Sequence, residues 1–231
     1  MKNILKNAGL TISNELGVYS NLYKDIYFDK KNGIKETEYN FLKLNNLGSR
    51  FKKSDVYTIA ELGFGTAMSF LLTLKLWKKT KKPNAKLIYI SFESAPLRKI
   101  ELNNVYRKVR GLKTLANQLI KKLPIKYQST HRIFFESENV ELILIYDDFS
   151  GLKNFKFKAD TWFLDGFAPK KNISAWNSKL FEQIYLCTKF KGTFSTFTSA
   201  GHVRRGLTNS GFSVSKVVGF GNKKESLIGI K

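Results

Sequence analysis

The chain is short of the residues that staple a fold, bind a metal or enter a membrane. It has one cysteine, Cys187, among 231 residues, so no disulfide can form within it and a reducing compartment is expected. The two histidines, His131 and His202, have no companion ligands at metal-binding spacing, so no metal is expected. No apolar run approaches the ~18 residues of a membrane span, and the stretch Met1 to Asn7 has no signal-peptide core. Together these absences predict a cytoplasmic protein without membrane contact. Acids are scarce as well: 18 Asp and Glu stand against 40 Lys and Arg, for a net charge of +22. Such a surface attracts phosphate polyanions. Only seven of the basic residues are arginine, however, and a lysine excess of this kind also follows from an AT-rich genome. The basic residues are dispersed, which makes them the charged face of a folded domain rather than a tail.

What is present is organised around Ala60-Glu61-Leu62-Gly63-Phe64-Gly65-Thr66. The apolar run Val56 to Ala60 predicts a buried strand, and a helical pattern begins at Thr66. A strand, a glycine turn and a helix form the first half of a nucleotide-binding α/β unit, in which bare backbone lets a ligand lie close. The phrase is E-x-G-x-G rather than G-x-G-x-x-G, which points to an S-adenosylmethionine loop before a dinucleotide loop. A purely structural glycine turn remains the alternative. Before it, residues 1–55 show short strands at Thr11-Ile12-Ser13 and Asp25 to Phe28, a turn at Lys30-Lys31-Asn32-Gly33, and a helix start at Glu36. This segment reads as a β-rich appendage to a main domain at 56–231.

The second strand, Leu87 to Phe92, ends in Glu93. A carboxylate there can accept both hydroxyls of a ribose; the plainer alternative is an acid at the N-terminus of the helix opened by Pro96. Residues 97–123 are helical with a break at Gly111. Two strands then flank Glu136 to Asn139, and the second ends in Asp147-Asp148. Either acid can accept from the exocyclic amine of adenine, or else cap the segment starting at Phe149. The strand Thr161 to Leu164 runs into Asp165-Gly166-Phe167-Ala168-Pro169, where an acid can hold an amine and an aromatic ring can stack on a flat substrate. A helix is expected from Ser174 to Thr188. After the strand Gly192 to Thr198, a short helix capped by Ser199 carries Arg204 and Arg205, suited to a phosphate or carboxylate. A terminal hairpin around Gly219 to Glu225 would insert one antiparallel strand.

Taken together, Glu61 to Thr66, Ser91-Phe92-Glu93, Trp162 to Pro169, Thr196 to Gly201 with Val203 to Leu207, and Gly219-Phe220-Gly221 resemble the methyltransferase half of the bacterial tRNA-modifying MnmC family. That half also exists alone as MnmD-type proteins. The similarity extends from Tyr27-Phe28 to the end. It implies a Rossmann-like class I methyltransferase, α/β with a mostly parallel sheet and one antiparallel strand. It implies S-adenosyl-L-methionine as cofactor and methylation of 5-aminomethyl-2-thiouridine at the tRNA wobble position. Partners would be tRNA and the enzymes that install the aminomethyl group. With the chain stopping at Lys231, an FAD oxidase step would be supplied separately or be absent.

By the same resemblance, Asp165, Phe167 and Pro169 would form the catalytic cradle. Glu61, Gly63, Gly65, Thr66, Glu93, Asp147, Asp148 and Asp165 would surround the cofactor, and Tyr27, Phe167, Lys170, Arg204 and Arg205 would face substrate or RNA. Departures from the family pattern are Ala67 for the third loop glycine, Lys170 for a small residue, Ile173 for a proline, and Lys224 and Ser226 for Arg and Met.

An alkylamine has a pKa near ~10.4, so a neutral nucleophile costs roughly 4–5 kcal/mol at pH 7. Asp165 at an ordinary carboxylate pKa is too weak a base to supply this alone, so its expected role is to orient the amine and accept a late proton. Two other readings compete. One is a non-catalytic basic RNA-binding protein with a degenerate nucleotide fold, against which the acids Glu61, Glu93 and Asp165 argue. The other is a methyltransferase for a small-molecule or protein amine.

Overall fold

The computed structural model describes residues 5–13, 17–29, 31–109, 111–124, 129–172 and 176–231. Lys30 of the expected turn, and Ile173 with the expected helix start at Ser174-Ala175, lie outside the described residues. Three short strands come first. They are β1 (Leu10–Ser13), β2 (Gly17–Ser20) and β3 (Asp25–Phe28), paired antiparallel in that order. Helix α1 (Gly33–Thr37) continues into a π-helical turn over Glu38–Lys43, and α2 (Leu47–Lys53) follows. The segment before residue 56 therefore carries helices as well as strands.

Strand β4 (Val56–Leu62) enters the main sheet. Its residues alternate between two apolar cores: Tyr57 and Ile59 face one, Ala60 and Leu62 the other. Strand β5 (Lys86–Phe92) does the same with Leu87 and Tyr89 against Ile90 and Phe92. Strands that are apolar on both faces need helices on both sides. Helices α3 (Met68–Thr80), α4 (Lys99–Lys108) and α5 (Lys113–Lys122) cover one face. Helices α6 (Ser178–Leu186) and α7 (Gly201–Asn209) cover the other. Gly111, at φ +83, makes the break between α4 and α5. At α7 the expected cap differs. Ala200 holds the cap position without a side-chain bond, because Thr198 Oγ1 accepts the Ala200 N–H and the helix starts beyond Ser199.

The remaining strands are β6 (Ser129–Phe135), β7 (Val140–Tyr146), β8 (Ala159–Leu164), β9 (Thr188–Thr196), β10 (Ser213–Val218) and β11 (Glu225–Ile230). The order across the eight-stranded sheet is β10-β11-β9-β8-β4-β5-β7-β6. Pairing is parallel from β9 through β7. Strand β11 is antiparallel to both neighbours, as the terminal hairpin predicts. The β6–β7 hairpin adds a second reversed strand at the opposite edge. The chain proceeds outward from β4 through β5 to β7 and then returns to the other side of β4 at β8. Ligands of open α/β sheets bind where the order reverses in this way, outside the carboxyl ends of the strands.

The N-terminal segment is fastened to this framework at both ends of the sheet. Arg50 on α2 donates to Thr161 Oγ1 at 2.9 Å, Thr193 Oγ1 at 2.6 Å and the Asp160 carbonyl at 2.9 Å. Phe51 packs edge-on against Tyr57 and Trp77. At the other end, Asp25 Oδ2 accepts the Ala168 N–H at 3.0 Å, and Lys171 reaches Asp25 Oδ1 at 3.1 Å. No helix among the described residues is long and apolar enough to cross a membrane. Trp77 is fully buried and donates to the Glu138 carbonyl at 3.0 Å. Trp77→Ala should therefore destabilise the fold by about 3–5 kcal/mol through cavity formation, read as a lowered urea midpoint.

Candidate active site

The switch point between β4 and β8 opens into a cavity of about 680 Å³, a size suited to a nucleoside cofactor with part of a substrate. Its floor is the glycine turn after β4. The Gly63 N–H bonds the Phe92 carbonyl at 2.9 Å. A Cβ at Gly63 would sit 3.0 Å from the Asp165 carbonyl, and φ is +92° there. Only glycine suits both the conformation and the approach. Gly65, at φ +50°, lies against the Tyr27 ring. Ala67 takes the left-handed conformation a glycine would take, φ +66°, at the start of α3. The alanine thus keeps the turn at a conformational cost of about 1 kcal/mol.

Glu93 is buried on the cavity wall and ties this turn down. Its Oε2 accepts the Gly65 N–H at 2.8 Å and its Oε1 accepts the Ala95 N–H at 2.7 Å. Thr66 also lines the cavity, and its carbonyl accepts the Tyr106 hydroxyl at 2.8 Å.

Asp165 follows β8 and faces the same space, with Ser69 Oγ donating to Oδ2 at 3.2 Å. Burial pushes its carboxyl up to about 7, with the Glu36 carboxylate adding to the rise and the Ser69 bond and Lys223 opposing it. Asp165 is thus a far better proton acceptor at neutral pH than the ordinary carboxylate expected from sequence. Phe167 stacks on Tyr23, with ring centroids 4.5 Å apart, and meets Tyr27 edge-on at 5.0 Å. Trp176 Nε1 holds its carbonyl at 2.8 Å. Pro169 and Tyr27 are on the wall. Burial, followed by the nearby Glu93 charge, drives the Tyr27 phenol well above its usual range and keeps it neutral.

Several expected contacts fall elsewhere. Glu61 does not line the cavity: it is buried beneath it, accepts from Ser91 Oγ at 2.7 Å, and lies beside the Tyr89 hydroxyl. Burial, with Asp165 nearby, raises its carboxyl well above the usual carboxylate range, and it props the loop from below. Asp147 and Asp148 also stand off the cavity. Asp148 is exposed and caps the turn Phe149–Asn154 through the Ser150 N–H, while Asp147 Oδ1 accepts the Asp148 N–H. The wall residue there is the next one, Phe149. Lys170, Arg204 and Arg205 are exposed outside the cavity.

Beyond Tyr27, the contribution of the first fifty residues was not legible in the sequence. Tyr23, Asp25, Asp29, Glu36 and Asn40 all line the cavity, and the π-helical turn carries the buried Asn40, which accepts from Ser226 Oγ at 3.1 Å. Wide turns of this kind recur at functional sites. Phe197 and Lys223 close the far side. The charged lining is six acids (Asp25, Asp29, Glu36, Glu93, Asp165 and Glu225) against Lys223 and Lys224, in a chain of net charge +22. A strongly basic protein that lines its main cavity with acids is suited to a cationic ligand. Bare glycine backbone, a buried carboxylate and an acidic wall fit S-adenosyl-L-methionine, a nucleoside carrying a sulfonium.

This arrangement defines a methyltransferase, and sequence comparison agrees. Residues 110–231 match the family model described as S-adenosyl-L-methionine-dependent methyltransferase, and the chain belongs to that family. Among named relatives, it is 39% identical over 230 residues to the tRNA 5-methylaminomethyl-2-thiouridine biosynthesis bifunctional protein MnmC of Hahella chejuensis. That match covers 98% of this chain and 37% of the relative. It is 38% identical over 228 residues to the MnmC of a Marinomonas species, covering 97% and 34%. The chain spans about a third of the length of these curated relatives. Its fold matches the crystal structure of MNMC2 from Aquifex aeolicus with a TM-score of 0.76 at 24% identity, covering 97% of this chain and 72% of that one.

The position of Asp165 has a consequence for stability. Its folded carboxyl titrates near 7, far above the ~3.9 of an unfolded aspartate. The folded state therefore holds a proton that the unfolded state has lost, and this stabilising contribution is complete below about pH 4 and lost as pH rises through 7. The urea midpoint of the wild type should fall between pH 5 and pH 8, and Asp165→Asn should flatten that fall.

Proposed function

We propose that this protein transfers a methyl group from S-adenosyl-L-methionine to the primary amine of 5-aminomethyl-2-thiouridine at the wobble position of tRNA, giving 5-methylaminomethyl-2-thiouridine. The observation that carries the reading is Asp165 beside Phe167 on an acid-lined cavity within a basic protein. The names of the relatives supply the substrate. In this reading Gly63, Gly65, Thr66 and Glu93 hold the cofactor, Glu93 through the ribose hydroxyls. The cofactor, when bound, supplies an electrophilic methyl group on a sulfonium.

Phe167, held between Tyr23 and the Trp176 bond to its carbonyl, is the platform on which the flat base stacks. Pro169 stiffens the turn that presents it. Asp165 accepts a hydrogen bond from the amine and directs the nitrogen lone pair at the methyl group. Holding nucleophile and methyl in line supplies much of the acceleration. After transfer the product is a secondary ammonium, and Asp165, with its raised carboxyl, is placed to take a proton from it. Tyr27 covers the glycine turn from the substrate side and excludes water.

The 1–55 segment is, in this reading, the substrate-side cover of a methyltransferase domain at 56–231. The exposed Lys170, Arg204 and Arg205 offer charge to the RNA backbone, with arginine suited to bidentate phosphate contact. Action on tRNA implies a cytoplasmic setting, downstream of the enzymes that install the aminomethyl group.

The deciding measurement is methyl transfer from labelled cofactor. Incorporation is expected into tRNA bearing the unmethylated wobble amine and not into fully modified tRNA. Asp165→Ala should lower the rate by about a hundredfold or more while leaving tRNA affinity nearly unchanged. Equal labelling of both tRNA pools, or a fully active Asp165→Ala, would overturn the assignment.

A further inference from the structure

The cavity mouth already holds an alkylammonium, and it belongs to the chain. Lys223 Nζ, from the turn between β10 and β11, lies 2.6 Å from Glu36 Oε1 on α1 and 4.9 Å from the centre of the Phe197 ring. Glu36, Phe197 and Lys223 line the same cavity as Asp165. A carboxylate with an aromatic face is the pattern that captures an alkylammonium. Left open, the Glu36–Phe197 pair would attract the protonated form of a substrate amine.

We infer that Lys223 is a positioning residue for the substrate amine: by occupying Glu36 it removes the carboxylate that would keep the amine protonated at the mouth of the cavity. The inference rests on the proposed reading that the substrate is a primary alkylamine. The step it serves requires the lone pair. The ammonium first loses a proton to water; the nitrogen lone pair then forms the N–C bond as the methyl leaves sulfur with the S–C electron pair staying on sulfur. An uncompensated carboxylate at the mouth opposes the first of these events, and a paired one does not.

The other charges around the amine site are already committed. Glu93 binds the Gly65 and Ala95 amides. Glu61, from below, accepts the Ser91 hydroxyl, and burial raises its carboxyl. Asp25 from the N-terminal hairpin pairs with Lys171, and Glu225 pairs with Lys216. Asp29 accepts the Lys31 and Asn32 amides. Tyr23 and Tyr27 are both shifted toward the neutral phenol. Lys224, also on the wall, adds a second positive charge beside Lys223. Glu36 and Lys223 act on the Asp165 carboxyl through space in opposite directions, and Asp165 in turn acts on Glu61 below it. The Lys223 side chain is 47% exposed, so solvent moderates the effect until bound RNA covers the mouth.

Two readouts test this. In the free protein, without tRNA or cofactor, the Asp165 carboxyl is followed by ¹³C NMR, assigned by its loss in Asp165→Asn. Lys223→Met should raise its midpoint and Glu36→Gln lower it, and the double variant should return it to the wild-type value. In the methylation assay, the ascending limb of the pH–rate profile should move up by about half to one pH unit in Lys223→Met, a threefold to tenfold loss at pH 7 recovered at alkaline pH. Lys223→Arg should keep the limb where the wild type has it, and Lys223→Met with Glu36→Gln should move it back.

Lys223→Met slow by one factor at every pH, or a double variant as impaired as Lys223→Met, would show a merely structural contact and overturn the inference. A wild type that methylates no tRNA would sink the substrate reading instead. The carboxyl titration would still decide whether the pair sets the charge of the site, and an unmoved Asp165 midpoint would reject it.

Discussion

Everything at the site depends on one close approach of backbone to backbone. Strands β4 and β8 are parallel neighbours in register through Leu62 and Leu164, and the residues that follow each strand touch. A side-chain carbon at Gly63 would come within 3.0 Å of the Asp165 carbonyl. This contact brings the glycine turn against Asp165, so that both line one cavity. The reversal of strand order around β4 makes these two strand ends adjacent, and the two apolar faces of the sheet, each under its own helices, hold them there. The site is therefore a product of sheet order before it is a product of any single motif.

Charge is the second organising constraint. A basic exterior and an acid-lined interior suit different ligands: the first suits polyanions, the second a cationic cofactor. Crowding carboxylates in one cavity is unfavourable unless each is neutralised, paired or hydrogen-bonded. The chain uses all three devices. Burial pushes Glu61 toward its protonated form, Glu93 is fixed by two amides, and Glu36, Asp25 and Glu225 each face a lysine. Asp165 is left with its carboxyl pushed up to about 7, where a side chain exchanges protons most readily at neutral pH.

The parts legible from residues alone were those written in local chemistry. The strand–glycine–helix phrase at 56–80, the acid ending β5, the Asp165 to Pro169 turn and the terminal hairpin all follow from periodicity and turn residues close in sequence. The acids that stand off the cavity wall share a different property. Glu61 lies near the end of β4, and Asp147 and Asp148 follow β7, and sequence cannot tell which side of a strand end faces ligand and which faces the core or the next turn. Period-two alternation reverses with a single residue. Here Phe149 stands on the wall while Asp148 caps, and Glu61 lies beneath while Gly63 lines the floor.

By itself the sequence determined that the domain is α/β with buried parallel strands, that a bare glycine turn follows the first of them, and that Asp165 and Phe167 stand together. These are properties of residues within a few positions of one another, where covalent geometry and side-chain alternation leave few choices. Only the tertiary structure decided that Tyr23, Glu36 and Lys223 belong to the same cavity, and that burial lifts Asp165 toward neutrality. Those facts arise from contacts across more than a hundred residues, such as Asp25 with Ala168 and Glu36 with Lys223. No local pattern encodes which distant charge a buried carboxyl will meet, and the energy of that meeting depends on how much water the assembled fold excludes.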